Sequence, residues 1–175
     1  MAIRFTTVSA GIALALSATA AQATDINFTL DWAFQGPQAP YLLAMERGYF
    51  EDEGLNVTMD RGYGSGDVPV KILSGTYDIG VADINPSIKL LAEQDDADLL
   101  AVAVISDGSP LAAMTLAGNG IEAPTDLEGM TLAAPDFDAG RQLFPAFAMA
   151  TDIDQDSINW MSVSPQLRET MMASR

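Results

Sequence analysis

Four short segments of this sequence gather side chains able to do chemistry: Asp31-Trp32, Gly62-Tyr63-Gly64-Ser65-Gly66-Asp67, Asp83-Ile84-Asn85 and Pro135-Asp136-Phe137-Asp138, the last followed by Arg141. A carboxylate beside an aromatic face can accept N–H donors from a planar ligand stacked on the ring. Glycines ahead of a helix let a polar ligand approach backbone N–H groups, here those of Ser65, Gly66 and Asp67. Each segment also has a purely structural reading. Trp32 can cap a core and Asp31 can close a turn. The glycines can be a flexible turn feeding a helix. Asn85 can be a helix N-cap, Asp83 is equally ambiguous, and Asp136 and Asp138 can be turn residues with Arg141 paired to one of them or facing solvent. The glycines are spaced G-x-G-x-G and follow the second strand pattern instead of the first, which is not a dinucleotide fingerprint.

The absent residue types are as informative. There is no histidine and no cysteine, which removes disulfides, imidazole and thiolate metal sites, Ser-His and Cys-His nucleophiles, and lipidation on cysteine. No metal and no cofactor is expected. Carboxylate acid–base work stays open to Asp31 or Asp83, yet nothing sets a pair of carboxylates at a defined separation. With 24 Asp plus Glu against 8 Lys plus Arg, the net charge is −16, which repels nucleic-acid phosphates and anionic headgroups. The chain has 175 residues, 49% of them hydrophobic and 18% charged, enough to pack at least one core.

The elements that must position these residues follow from apolar patterning. Strands are predicted at 26–30, 56–59, 79–82, 99–105, 112–117, 131–134 and 158–163, the run at 99–105 being continuously apolar, as for a strand buried on both faces. Helices are predicted at 41–47, 49–53, 67–74, 87–93, 139–150 and from Pro165 to the end, several closed by a following glycine. The alternation of strand and helix implies α/β architecture with a parallel sheet. In such a sheet ligands bind outside the carboxyl ends of the strands, where all four segments fall.

Residues 1–23 read as a cleavable secretory signal. Arg4 is its one charge, residues 8–16 are apolar, and Ala21-Gln22-Ala23 offers small residues for cleavage before Thr24. The apolar stretch is shorter than the roughly 20 residues of a membrane span. Residues 24–118 are expected to form a nearly complete first α/β lobe and 119–175 the opening part of a second, so that the chain is expected to be a fragment. Phe144, Phe147, Met149, Trp160 and Met161 are then expected to have few packing partners.

The segments Leu30-Asp31-Trp32, APYLLAMERGYFEDEGLNV (39–57), GSGD (64–67), ILSGTYDIGVAD (72–83) and GRQLFPAFA (140–148) resemble the periplasmic substrate-binding proteins of ABC importers, in the branch for nitrate, sulfonate, taurine and thiamine-pyrimidine precursors. The resemblance implies a two-lobe, type II periplasmic-binding-protein-like fold with the second lobe truncated here. It implies a Gram-negative periplasmic protein that captures a small molecule, meets permease and ATPase subunits in the inner membrane, and is not itself inserted after signal cleavage. It places ligand contacts on Asp31, Trp32, Tyr63, Gly64, Ser65, Gly66, Asp83, Asn85 and Asp136. The family often has a histidine before the first helix, where this chain has Pro37-Gln38-Ala39. Relatives of this architecture also include pyrimidine-synthesising and menaquinone-pathway enzymes, so a biosynthetic enzyme is the alternative. Loss of every histidine weighs against the first type, and export against both. Among ligands, the loops carry Asp31, Asp67, Asp83, Asp136 and Asp138 with Arg141 as the nearby cation, which favours an aminopyrimidine over a sulfonate or taurine-like anion.

Overall fold

The computed structural model describes residues 22–174, and the expected secretory signal, apart from its last two residues, lies outside them. Strand β1 (Thr24–Thr29) is followed by a 3-10 turn at Gly36–Gln38, helix α1 (Ala39–Glu46), helix α2 (Tyr49–Asp52) and strand β2 (Leu55–Asp60). The junction of the two helices is Gly48, at φ 73°, a left-handed conformation that glycine adopts without steric cost. Helix α3 (Val68–Leu73), with Pro69 in its first turn, leads to the two-residue strand β3 (Ile79–Gly80) and then helix α4 (Ile84–Glu93). The sheet order is β2-β1-β3. Both pairings are parallel, β1 and β2 in register from Thr24 with Leu55 to Thr29 with Asp60, and β1 meeting β3 only through Phe28 with Ile79 and Thr29 with Gly80.

A second parallel pair repeats the unit. Strand β4 (Thr131–Ala134), helix α5 (Ala139–Ala150), strand β5 (Asn159–Ser162) and helix α6 (Arg168–Ala173) complete the chain, with Thr131 opposite Asn159 and Ala134 opposite Ser162. Their apolar residues enclose a cluster of Leu127, Phe144, Ala148, Ile153 and Ile158, flanked by Ile121, Leu132 and Trp160. Trp160 meets Phe144 edge-on, centroids 5.2 Å apart, a favoured aromatic geometry. Around the first sheet the most deeply buried side chains are Thr29, Leu30 and Val68.

Three expectations need correction. Residues 99–105 and 112–117 are not strands, and Leu100 is 86% exposed. A strand apolar on both faces needs neighbours on both edges and cover on both faces; no described element takes those places, so apolarity alone does not extend this run into a sheet. The third strand shrinks from 79–82 to Ile79–Gly80, the two residues that pair with Phe28 and Thr29 at the end of β1. Phe144 is buried in the core of the second unit, while Met149 stays exposed. Among the described residues no helix is long and apolar enough to cross a membrane.

Replacing Phe144 by alanine removes the ring at the centre of the apolar cluster and should cost about 3 kcal/mol in chemical denaturation, whereas Met149→Ala should change stability by less than about 0.5 kcal/mol. Equal effects of the two substitutions would contradict this placement of the core.

Candidate functional site

The connection after β1 runs to one edge of the sheet and the connection after β2 crosses back to the other. A crevice therefore opens between the carboxyl ends of β1 and β3, where Asp31 and Asp83 stand. The loop after β2 folds across this opening. Gly62 N–H donates to the Trp32 carbonyl at 2.8 Å and Gly64 N–H to the Asp31 carbonyl at 2.9 Å. The buried Ser65 hydroxyl accepts the Asp83 N–H at 3.0 Å. A side chain at Gly62 would collide with the carbonyl of Leu30 and the backbone of Asp31, and one at Gly64 (φ +147°) with the carbonyl of Phe137. Gly66 N–H donates to that same Phe137 carbonyl at 2.9 Å. One glycine loop thus joins the ends of β1 and β3 to the segment following β4.

The acidic groups around this junction are held in different ways. Asp67 pairs with Lys71 at 2.8 Å, Asp136 with Arg141 at 2.7 Å and Asp138 with Arg168 at 3.0 Å. Arg141 also donates to the Ala134 carbonyl and the Ser162 hydroxyl and lies over the Trp160 ring. Arg168 lies over the Trp32 ring, 5.2 Å from its centroid, so one guanidinium links the tryptophan after β1 to Asp138, the N-cap of α5. Asp31 and Asp83 have no cationic partner among the described residues. Asp31 Oδ1 accepts from Gln38 Nε2 at 3.0 Å, and Asp83 Oδ1 accepts from the backbone and side-chain nitrogens of Asn85 at 2.9 and 2.7 Å. Burial raises the Tyr41 phenol above its ordinary pKa, and the negative charge of Asp31 raises it further. Arg61 stacks on Tyr63, 4.6 Å from the ring centroid, and donates to the Gly62 carbonyl.

A cleft of about 280 Å³ lies beside the tie, walled by Tyr63 on one side and by Pro135, Asp136, Phe137, Ser162 and Pro165 on the other. Of the residues singled out in the sequence, Tyr63 and Asp136 line this cleft. Gly64, Ser65 and Gly66 form the tie itself, and Asp31, Trp32, Asp83 and Asn85 stand at the strand ends it covers. Several details differ from expectation. The N–H groups of Gly66 and Asp67 are engaged within the chain, by Phe137 and Gly64 carbonyls, because the glycines admit a neighbouring backbone. Asp83 rather than Asn85 caps α4, since its carboxylate stands two residues earlier, in extended backbone, and accepts the Asn85 N–H. Arg141 is not the one nearby cation, for Arg61, Lys71 and Arg168 also face these carboxylates and rings. Gln38 and Arg168 were absent from the candidate residues. The signal for Gln38 is its place in the stretch before α1 where the resembled family often has a histidine. Arg168 carried none, its partners Trp32 and Asp138 being remote in sequence.

The parallel sheets and their junction are those of a periplasmic-binding-protein-like fold. The alkanesulfonate-binding protein SsuA from Xanthomonas axonopodis pv. citri, solved bound to MOPS, shares this fold with a TM-score of 0.60 at 18% identity, over 89% of this chain and 53% of that one. Residues 36–175 match the NMT1/THI5-like family, and the chain belongs to it. The formylaminopyrimidine-binding protein of Halalkalibacterium halodurans is 24% identical over 150 residues, 86% of this chain and 45% of the relative. The chain spans about half the length of these two relatives, and both carry the names of binding proteins.

Gly64→Ala adds both a collision with Phe137 and a strained backbone, and should destabilise the protein by about 2 to 3 kcal/mol, against about 1 kcal/mol for Gly118→Ala, which has positive φ but open space. Thermal or urea unfolding of the two variants checks the difference; similar losses would mean that the loop is not pressed against Phe137.

Proposed function

We propose that this chain is the solute-binding component of an ABC importer, working in the periplasm and passing its ligand to permease and ATPase subunits. In this reading residues 1–23 are the secretory signal, and lobes at 24–118 and 119–175 face each other across the glycine tie. Asp31, Trp32, Tyr63, Gly64, Ser65, Gly66, Asp83, Asn85 and Asp136 surround the ligand. The ligand is a flat heterocycle bearing N–H donors, of the aminopyrimidine class. The observation that carries this choice is the state of Asp31: a carboxylate at the end of the central strand, beside an indole, with no cationic partner among the described residues and Oδ2 without a hydrogen bond. A carboxylate so placed attracts N–H donors and repels anions. The family membership and the aminopyrimidine-binding relative support the same class.

A second reading, an alkanesulfonate, rests on Arg61, which has no carboxylate partner among the described residues and lies beside Tyr63 at the cleft. Both readings are of capture and release without turnover.

Titration calorimetry of the purified protein with 4-amino-2-methylpyrimidine, taurine, MOPS and nitrate separates them. Binding of the pyrimidine is expected, weakened about tenfold or more by Trp32→Ala, the value of one aromatic stack. Binding of the sulfonates alone, abolished by Arg61→Met, would replace the first reading by the second.

A further inference from the structure

Gln38 is 6% exposed, and the polar atoms of its side chain are used unequally. Nε2 donates to Asp31 Oδ1 at 3.0 Å, while the buried Oε1 has no hydrogen-bond partner among the described residues. A buried acceptor without a partner is costly, and native structures retain one where something else completes it. The orientation of the amide follows from Asp31. An ionised carboxylate accepts only, so it draws the NH2 of Gln38 toward itself and turns the carbonyl away. The atom turned away from Asp31 is therefore an acceptor for as long as Asp31 carries its charge.

We infer that Gln38 and Asp31 together select the ligand by its hydrogen-bonding sense: the buried Gln38 Oε1 and Asp31 Oδ2, each without a hydrogen-bond partner among the described residues and carried by two groups joined by a single hydrogen bond, accept two N–H donors from an amine or amidine edge. The inference rests on the aminopyrimidine reading of the site and adds the residue that enforces it. An anion would need the amide to present its NH2, which turns Oε1 against the Asp31 carboxylate. Selection against sulfonate and nitrate is thus built into the charge of Asp31 and transmitted through the orientation of Gln38, and Tyr41, also packed near Asp31, stays a neutral phenol at physiological pH.

The test is calorimetry on the purified protein with 4-amino-2-methylpyrimidine and methanesulfonate, a sulfonate without N–H donors, as probes. Gln38→Met, nearly isosteric and without an acceptor, should weaken the pyrimidine about tenfold or more without weakening methanesulfonate. Asp31→Asn, which frees the amide to turn, should lower the ratio of pyrimidine to methanesulfonate affinity by about a hundredfold. Where a variant is unfolded, the wild-type protein still decides: the Gln38 side-chain NH2 resonances should shift on adding the pyrimidine and stay in place with methanesulfonate. Wild-type pyrimidine affinity in Gln38→Met together with loss in Trp32→Ala would overturn the role of Gln38 and keep the ligand class. Binding of methanesulfonate but not of the pyrimidine by the wild-type protein would overturn both.

Discussion

The structure depends on a backbone constraint at the end of β1: the carbonyls of Asp31 and Trp32, which point past the last sheet pairing, are taken up by the N–H groups of Gly64 and Gly62. Buried backbone acceptors require partners, and here the partners come from a loop that only glycine lets approach so closely. The same loop offers Ser65 to the backbone of Asp83 and Gly66 to that of Phe137. Four strand ends are thereby drawn to one place by main-chain hydrogen bonds and the Ser65 hydroxyl, and the side chains of Asp31, Trp32, Asp83 and Asp136 are positioned as a consequence.

Electrostatics then distinguishes the carboxylates that are paired with a cation from those that have none among the described residues. A chain with net charge −16 has few cations, and three of those near the junction are committed: Lys71 to Asp67, Arg141 to Asp136 and Arg168 to Asp138. These partly exposed pairs contribute modestly to stability. Their larger effect is orientation, since Arg141 and Arg168 each also cover an indole face, of Trp160 and Trp32. The Asp31 carboxylate, bonded among the described residues to the amide of Gln38 alone, stands at the crevice without a cation.

Much of this was legible in the residues. Gly48, Gly54 and Gly75 mark element ends that the structure keeps, and the α5 boundaries follow directly from the apolar pattern after Asp138. The parallel pairing of β1 with β2 and of β4 with β5 follows from strand-helix alternation. What was not legible depends on partners distant in sequence. The run at 99–105 has the composition of a buried strand but no described neighbour. The glycines at 62, 64 and 66 announce a close approach without saying that the approaching backbone is that of Leu30 and Asp31 at Gly62 and of Phe137 at Gly64 and Gly66. Asp83 and Asn85 are both good caps, and only the backbone conformation at Asp83 decides between them. Gln38 looks like a loop residue until its burial against Asp31 is seen.

The central claim is that the ligand is held where the glycine tie joins the two sheets. Hydrogen–deuterium exchange measured with and without 4-amino-2-methylpyrimidine tests it most directly. Joint protection is predicted at residues 31–41, 62–67 and 135–138, with 99–117 unchanged. Protection confined to one sheet, or appearing away from the tie, would contradict it.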